Sequence, residues 1–493
     1  MALRHLHIEN YRSIANLDLP WGPLNALLGP NNSGKSNILR ALNLILGETW
    51  PSRPLSTKDF FQHNIANRIM ITVQFDTPLV SDPTVHGFSL CCDAGQSPEY
   101  LAIDAAGTPC VWGSGTPKRV SSAMREEVAL LYLDLERTAD RQLRATQWTL
   151  YGKLISRIEA QLPAANRQAF RASVAAAVDN ELRHELDIAQ RVIDDFVRRQ
   201  TGLDVTLEFE ALDPIDVLKG VRPYIQDGPM VSDAEEVGAG VHSALAVGIA
   251  KAYAEIVRQP LILAIEEPEL YLHPHGCRNF YRLLQELSAQ GLQVIYTTHE
   301  RSFVNAGEYE AIHIVRRAAG STNITSGSAL AFGAHRDRLR LQSKFNERVN
   351  EVFFAQVVVL VEGDPDEIAT RCALVQRGGL DLDRQSISVI SVGGINEVML
   401  IAQLLNGLYI PTFALVDEDP GNAVTLRVVN DLRAMLGAPR VLLQTPNLEG
   451  LFGLRNKPSR IDSMTFFPQW FANPANVMQQ VYVDLTGAIR AHL

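Results

Sequence analysis

The sequence reads as an α/β protein of at least two domains, and three stretches carry that reading. Leu27 to Asn37 (LLGPNNSGKSN) is an apolar run that ends in a Gly/Asn/Ser turn and then opens a helix through Ile38, Leu39 and Leu42. Gln259 to Glu269 (QPLILAIEEPE) is a continuous apolar strand ending in carboxylates, the pattern of a strand buried on both faces in a parallel sheet. After residue 350, β-branched strands at Gln356 to Val361, Ile387 to Val392 and Thr412 to Val416 alternate with helical stretches, which argues for a second, smaller α/β domain.

Composition narrows the class. A chain of 493 residues exceeds what one core usually supports. Its 46% hydrophobic and 20% charged content is ordinary for a soluble protein, and a net charge of −10 excludes a uniformly basic nucleic-acid binder. It leaves room for a local basic groove or for carboxylate-held metal ions facing a polyanion. The five cysteines, Cys91, Cys92, Cys110, Cys277 and Cys372, are odd in number and lack zinc-ligand spacing. The opening residues hold no apolar signal core and no later run has membrane-spanning length, so a cytoplasmic protein that meets no membrane is expected.

Along the chain, strands are expected at Leu3 to Ile8, Leu17 to Leu19, Asn25 to Leu28, Ile69 to Phe75, Gly87 to Cys92 and Tyr100 to Ile103. From Ser121 to Arg199 the pattern turns helical, with Leu154, Ile158, Leu162, Val192, Ile193, Phe196 and Val197 at helical spacing, and Val205 to Phe209 returns to strand. A helix at His275 to Ala289 and a buried strand at Leu292 to Thr297 follow. The Gly/Ser/Thr/Asn-rich passage Ala319 to Ser328 and the basic one His335 to Arg348 together read as a linker. The expected organisation is 1–120, an N-terminal lobe with the phosphate loop; 121–200, a helical insertion suited to dimerisation; 201–318, a second lobe; 319–350, the linker; and 351–493, the second domain with its tail.

The stretch from Gly29 to Ser36 satisfies G-x-x-x-x-G-K-[ST], the loop that cradles phosphates with successive backbone N–H groups. The nucleotide-binding candidates are Asn31, Asn32, Gly34, Lys35, Ser36 and Asn37: Lys35 reaches the β and γ phosphates, and the Ser36 hydroxyl ligates Mg²⁺. Glu266 at the tip of the second strand is the expected metal-shell acid, and Glu267 the base that polarises water. His299, closing the next strand, is placed to contact the γ-phosphate. Gly238 and Gly240, before a helix, offer N–H groups to a second phosphate.

In the C-terminal half, Glu362 follows an apolar strand and precedes Gly363, while Asp417 and Asp419 stand in D-x-D spacing at another strand end. Alternation along an extended segment turns both aspartates to one side; with Glu362 opposite, they offer hard oxygen ligands for Mg²⁺ or Mn²⁺ and a phosphodiester.

These residues also carry a resemblance. Ile8 to Ile14 (IENYRSI), the loop Gly29 to Ser36, Glu266 to Pro274 (EEPELYLHP) and Thr297-Thr298-His299 resemble ABC-type ATPases of the SMC and recombination-repair class. That resemblance implies two heads sandwiching ATP, with Gly238 to Ser243 where a signature loop acts on the partner's nucleotide, although Ala239 stands where the signature has glycine. Glu362-Gly363, Val392 to Asn396 and Asp417-x-Asp419 resemble the Toprim domain in the right order, and Asp366 matches the acid four positions after its first glutamate.

The combination, an α/β chain with an ABC-type P-loop ATPase, a helical insertion and a smaller α/β Toprim domain, resembles the overcoming-lysogenization-defect (OLD) family. The resemblance implies an ATP-dependent or ATP-regulated, metal-dependent DNA endonuclease of phage defence or DNA processing, using ATP and Mg²⁺ with Mn²⁺ or Ca²⁺ as substitutes. Its expected partners are DNA, further copies of the chain through the heads and the insertion, and an accessory defence protein. The catalytic candidates it implies are Glu267, His299, Glu362, Asp366, Asp417, Asp419 and Glu449, the last from the segment Pro446 to Phe452; the metal candidates are Ser36, Glu266, Glu362, Asp366, Asp417 and Asp419. Lys457 is a candidate phosphate contact. The competing class is a regulatory ATPase whose C-terminal domain only binds DNA or a partner.

Overall fold

The computed structural model describes residues 1–47, 49–134, 149–181, 183–206, 214–234, 236–257, 261–330, 335–345 and 348–493. The chain falls into two units, one of Met1–Tyr132 with Ile262–Leu493 and one of Leu133–Leu261.

The first unit holds three sheets. An antiparallel sheet runs in the order Ile14–Pro20, Leu3–Tyr11, Ile69–Phe75, Gly87–Cys92, Glu99–Ile103. The central sheet runs Ser321–Ser326, Ile312–Ala318, Leu24–Leu28, Gln293–Thr298, Leu261–Glu266, Ala129–Leu133. Its four interior strands are parallel, so their C-terminal tips share one edge, and Leu28, Thr298 and Glu266 all end there. Every residue of Leu261–Glu266 is buried, as the unbroken apolar run requires. The helix Lys35–Leu46 buries Ile38, Leu39, Leu42 and Ile45, whose three- and four-residue spacing forms one stripe.

The third sheet is entirely parallel, in the order Ile387–Ser391, Val357–Val361, Thr412–Asp417, Val441–Gln444. Helices Asp364–Cys372, Ile395–Gly407 and Ala423–Leu436 follow its strands, as parallel crossovers demand. The first of these starts with Pro365 at its N-terminal turn and Asp364, Asp366 and Glu367 against the positive end of the helix dipole. The helices Arg460–Ala472 and Gln480–His492 cover the same core through Phe467, Phe471, Tyr482, Leu485 and Ile489, which accounts for the aromatic tail.

The second unit contains the helices Leu150–Ala160, Ala164–Glu181, Arg183–Thr201, Pro214–Leu218 and Ala239–Val257, and a hairpin of Tyr224–Asp227 with Met230–Asp233. Ile188, Val192 and Ile193 lie exposed along Arg183–Thr201. Among the described residues no helix is long and apolar enough to cross a membrane.

Three expectations are corrected. Within the expected linker 319–350, the described residues are ordered elements: Ser321–Ser326 is a strand paired with Ile312–Ala318, and the His335–Lys344 helix buries Leu341, while 331–334 and 346–347 lie outside the described residues. Gly, Ser and Thr suit a tight hairpin as well as a loose tether, and Thr322 and Ile324 are strand formers. The region 121–200 is not wholly helical, because Ala129–Leu133 joins the central sheet, and its boundary does not follow the division between the units. Of the strand expected at 205–209, residues 207–209 lie outside the described residues and 205–206 are not strand.

His313 is fully buried, edge-on to Trp21 with ring centroids 5.6 Å apart and 3.2 Å from Asn25 Oδ1. Burial lowers its pKa from 6.5 to about 3, so the folded protein keeps it neutral while the unfolded chain protonates below 6.5. Its contribution is therefore complete above that pH and drains away as pH falls toward 3. Urea unfolding at pH 5.5 should show about 1 kcal/mol less stability from this group than at pH 7.5, a loss that His313→Gln removes.

Candidate functional site

At the tips of the central sheet the phosphate loop is tightly braced. A side chain on Gly29 would run into the Val315 carbonyl, and one on Gly34 into Thr322 and Ser13; Gly34 also has φ 107°. Thr322 Oγ1 donates to the Ser33 carbonyl at 2.9 Å and lies 2.8 Å from Ser13 Oγ. Asn37 Nδ2 donates to Ser13 Oγ at 2.8 Å, so this side chain braces the loop from behind. Asn31 and Asn32 are exposed on the loop.

Lys35 Nζ donates to the carbonyls of Gly29 (2.8 Å) and Pro30 (3.0 Å). Burial lowers its pKa to about 8, against the opposing pull of Glu267, Glu269 and Glu266. Ser36 Oγ donates to Glu266 Oε2 at 3.0 Å, bringing the hydroxyl and the acid expected to share a metal into contact. The other Glu266 oxygen accepts from the Tyr132 hydroxyl. Glu267, at φ 44°, turns off the strand with its N–H held by the Thr297 carbonyl at 3.0 Å. His299 Nε2 lies 3.8 Å from Glu267 Oε1; burial, then Lys35, lowers its pKa to about 4, so the two meet as a neutral ring and a carboxylate. Glu269 accepts from the His299 N–H (2.7 Å) and Thr298 Oγ1 (2.9 Å), and burial raises its pKa. A loop that cradles an anion, a lysine ready to leave its carbonyls and an acid–serine pair fit a nucleotide with its metal.

Gly238 and Gly240 lie in the second unit, at the start of the helix Ala239–Val257. The helix begins one residue after Gly238, so Gly240 belongs to its first turn instead of preceding it. His242 Nε2 sits 2.6 Å from the Ala234 carbonyl.

The second cluster lies at the C-terminal tips of the all-parallel sheet, where such sheets bind ligands. Glu362 follows the Val357–Val361 strand, and its carbonyl accepts from the N–H groups of Gly393 (2.9 Å) and Gly394 (3.0 Å). Those two glycines have φ 91° and 126°, which is why that turn carries a Gly-Gly pair. Glu362 Oε1 accepts from the Asp417 N–H at 2.9 Å. Lys457 Nζ lies 3.0 Å from Asp366 Oδ2 and 3.4 Å from Asp417 Oδ2. Burial, with Asp417 adding to it, raises the Glu362 pKa to about 7; burial, with Asp366 adding to it, raises Asp417 to about 6; burial also raises Asp366. Burial disfavours the Lys457 charge, but Asp366 and Asp417 outweigh it and hold its pKa above the ordinary lysine value.

The structure thus brings Glu362, Asp366 and Asp417 together and departs from expectation at Asp419. The strand ends at Asp417 and Asp419 has φ 41°, so the alternation expected to turn both aspartates the same way is broken. The Asp419 N–H donates to the Pro446 carbonyl. Glu449 follows Leu448, whose N–H donates to Asp417 Oδ1 at 3.1 Å, and its own Oε2 is buried without a hydrogen-bond partner. Among the described residues no three acids, histidines or cysteines close into a ready cage; like charges repel, and the Lys457 ammonium stands between two of the carboxylates. Mutually repelling hard-oxygen donors nonetheless fit a divalent ion, and Glu449, next in sequence to the Leu448 that holds Asp417, carries an orphaned carboxylate oxygen.

Other acids have structural duties. Glu367 pairs with Arg348 (2.5 Å) and Arg371 (3.2 Å) and accepts from the Ser391 N–H (3.0 Å). Asp364 accepts from Ser391 Oγ (2.5 Å) and pairs with Arg460 (3.2 Å). Sequence reasoning missed Tyr132, Glu269 and Gln444. Tyr132 was hidden by the helical reading of its segment, whereas Glu269, two residues beyond the acid pair, was open to being singled out.

Comparison with known proteins agrees with this architecture. The family model described as AAA ATPase domain matches residues 1–103 and 121–304, and the one described as overcoming lysogenization defect protein-like, TOPRIM domain matches residues 353–419. The chain is 30% identical over 498 residues to an OLD nuclease of Thermus scotoductus, covering 93% of this chain and 94% of that protein. It is 22% identical over 468 residues to the Old nuclease of Escherichia phage P2, covering 87% and 79%. A solved Smc head bound to the C-winged helix domain of ScpA aligns at TM-score 0.37 and 15% identity over 68% of this chain and 98% of that one.

Glu269→Ala releases the His299 backbone and the Thr298 hydroxyl together. It should lower ATP turnover by roughly 100-fold, the cost of misplacing a reacting group by about 1 Å, while equilibrium binding of a fluorescent ATP analogue stays near the wild-type value.

Proposed function

The chain belongs to the OLD nuclease family, and we propose that its ATPase regulates a divalent-metal-dependent DNA endonuclease that serves phage defence or DNA processing. The observation that carries this reading is the convergence of Glu362, Asp366 and Asp417 on one sheet edge beside Lys457.

In the ATPase, Lys35 exchanges its two loop carbonyls for phosphate oxygens. Ser36 and Glu266 would hold Mg²⁺, and Glu267 would orient water next to the neutral His299. Gly238 and Gly240 are proposed to act on the nucleotide of a second copy, so the working form is a homodimer or larger. The exposed Ile188, Val192 and Ile193 support the insertion as a further contact between copies.

In the nuclease, Glu362, Asp366 and Asp417, with Asp419 and Glu449 on neighbouring turns, would hold Mg²⁺, for which Mn²⁺ or Ca²⁺ substitutes. When bound, the metal activates water and neutralises charge on the scissile phosphate. In the metal-free cluster burial and Asp417 raise the Glu362 pKa to about 7, and a bound cation would draw it back toward the carboxylate. Lys457 keeps its proton and places a positive charge where a phosphate oxygen can displace the aspartates.

A continuous set of contacts supports regulation by ATP. Two residues after His299, Arg301 pairs with Glu351 at 3.0 Å, and Glu351 accepts from Ser388 Oγ at 2.8 Å on a strand of the nuclease sheet. Asn350 Nδ2 donates to the carbonyls of Arg301 (2.9 Å) and Val304 (3.0 Å).

The second reading, a regulatory ATPase whose C-terminal domain binds without cutting, draws on the Lys457 ammonium that already balances Asp366 and Asp417. A supercoiled-plasmid assay with Mg²⁺ or Mn²⁺, with and without ATP, separates the two; no nick under any condition leaves the second. With a nicking wild type, Lys35→Ala should lose ATP hydrolysis and Asp417→Ala should lose nicking, each by roughly 1,000-fold or more, with the other activity retained. Arg301→Ala, assayed the same way, should leave both activities measurable but shrink the change in nicking rate that ATP produces.

A further inference from the structure

Gln444 ends the fourth strand of the nuclease sheet, where the register sets it directly beside Asp417. Its side chain is fully buried, as is that of Tyr482 on the C-terminal helix Gln480–His492. Only one orientation of the Gln444 amide suits these neighbours. With the carbonyl oxygen accepting from the Tyr482 hydroxyl at 3.1 Å, the amide nitrogen donates to Asp366 Oδ1 at 2.9 Å and Asp417 Oδ1 at 2.7 Å. The opposite orientation turns a carbonyl oxygen toward two carboxylates.

The two aspartates are therefore held from opposite sides. Their Oδ1 atoms face the Gln444 amide, with the Leu448 N–H also on Asp417 Oδ1, and their Oδ2 atoms face the Lys457 ammonium. One side is a neutral, buried donor that cannot leave; the other is a partly exposed cation on a flexible stem.

Building on the nuclease reading, we propose that Gln444 is a positioning residue: locked by Tyr482, it fixes the inner oxygens of Asp366 and Asp417 so that their outer oxygens form a paired acceptor for a divalent cation. Tyr482 sets the polarity of the device. Its hydroxyl remains protonated, since burial holds its pKa far above neutrality, and it donates to the Gln444 carbonyl oxygen at 3.1 Å. Without it the amide is free to turn over and bring its oxygen against the carboxylates. A glutamate at position 444 would lose the paired donation and add a fourth acid to the cluster.

The test measures Mn²⁺ binding to the full-length, nucleotide-free protein by electron paramagnetic resonance, alongside plasmid nicking as a function of Mn²⁺. The variants are Tyr482→Phe, which removes one oxygen, and Gln444→Met, which keeps the length and removes both donors; ATPase rate and thermal unfolding confirm that each is folded. Both should bind Mn²⁺ about tenfold or more weakly, the usual cost of losing a group that orients metal ligands. The Mn²⁺ concentration for half-maximal nicking should rise in parallel, with the rate at saturating Mn²⁺ largely recovered. Should Gln444→Met fail to fold, Tyr482→Phe decides alone. Wild-type Mn²⁺ affinity in the folded variants overturns the inference and leaves the nuclease standing. A wild-type protein that neither binds Mn²⁺ nor nicks DNA removes the nuclease reading and this inference together.

Discussion

Bringing carboxylates together inside a protein is unfavourable, and the nuclease half of this chain is arranged around that cost. Desolvation and mutual repulsion both push the acids at the sheet edge toward the neutral form. Three kinds of donor counter this: backbone N–H groups of Asp417 and Leu448, the buried amide of Gln444, and the ammonium of Lys457. The parallel sheet supplies the acids at its strand ends, and the C-terminal helices supply Tyr482 and the hydrophobic cover that keeps Gln444 dry. The tail is thus part of the acid cluster's support.

The nucleotide half answers a similar problem with the signs reversed. Lys35 is buried at the mouth of a loop made of N–H donors, and it rests on two carbonyls with Glu266, Glu267 and Glu269 nearby. An arriving polyphosphate replaces weak acceptors with charged ones, so loop and lysine gain from the exchange. His299, neutral and anchored through its backbone to Glu269, sits at the start of the segment that reaches Glu351 and the nuclease sheet. Packed and hydrogen-bonded groups therefore join the His299 segment to the C-terminal sheet.

Much of this was legible because strand-tip chemistry is local. The phosphate loop, the Glu266-Glu267 tip, Glu362 and Asp417 each announce themselves as polar residues closing an apolar run, and a parallel sheet gathers such ends on one edge. What was not legible depends on partners distant in sequence. Gln444 matters because its strand lies beside Asp417 and because Tyr482, 38 residues later, orients its amide. Tyr132 was concealed by helix-like composition around a strand that the sheet recruits at its edge. Asp419 marks the limit of period-two reasoning: the D-x-D spacing was visible, but the strand ends at Asp417 and the backbone is left-handed at Asp419.

The hairpin Ile312–Ala318 with Ser321–Ser326 bears on how the protein can be divided. Its Thr322 hydroxyl touches the carbonyl of Ser33 and the hydroxyl of Ser13, and its backbone N–H donates to the Ser13 carbonyl at 2.8 Å. An excised ATPase that stops at Arg316 would leave its own phosphate cradle without a wall. A recombinant fragment must run through Ser326 to keep that wall.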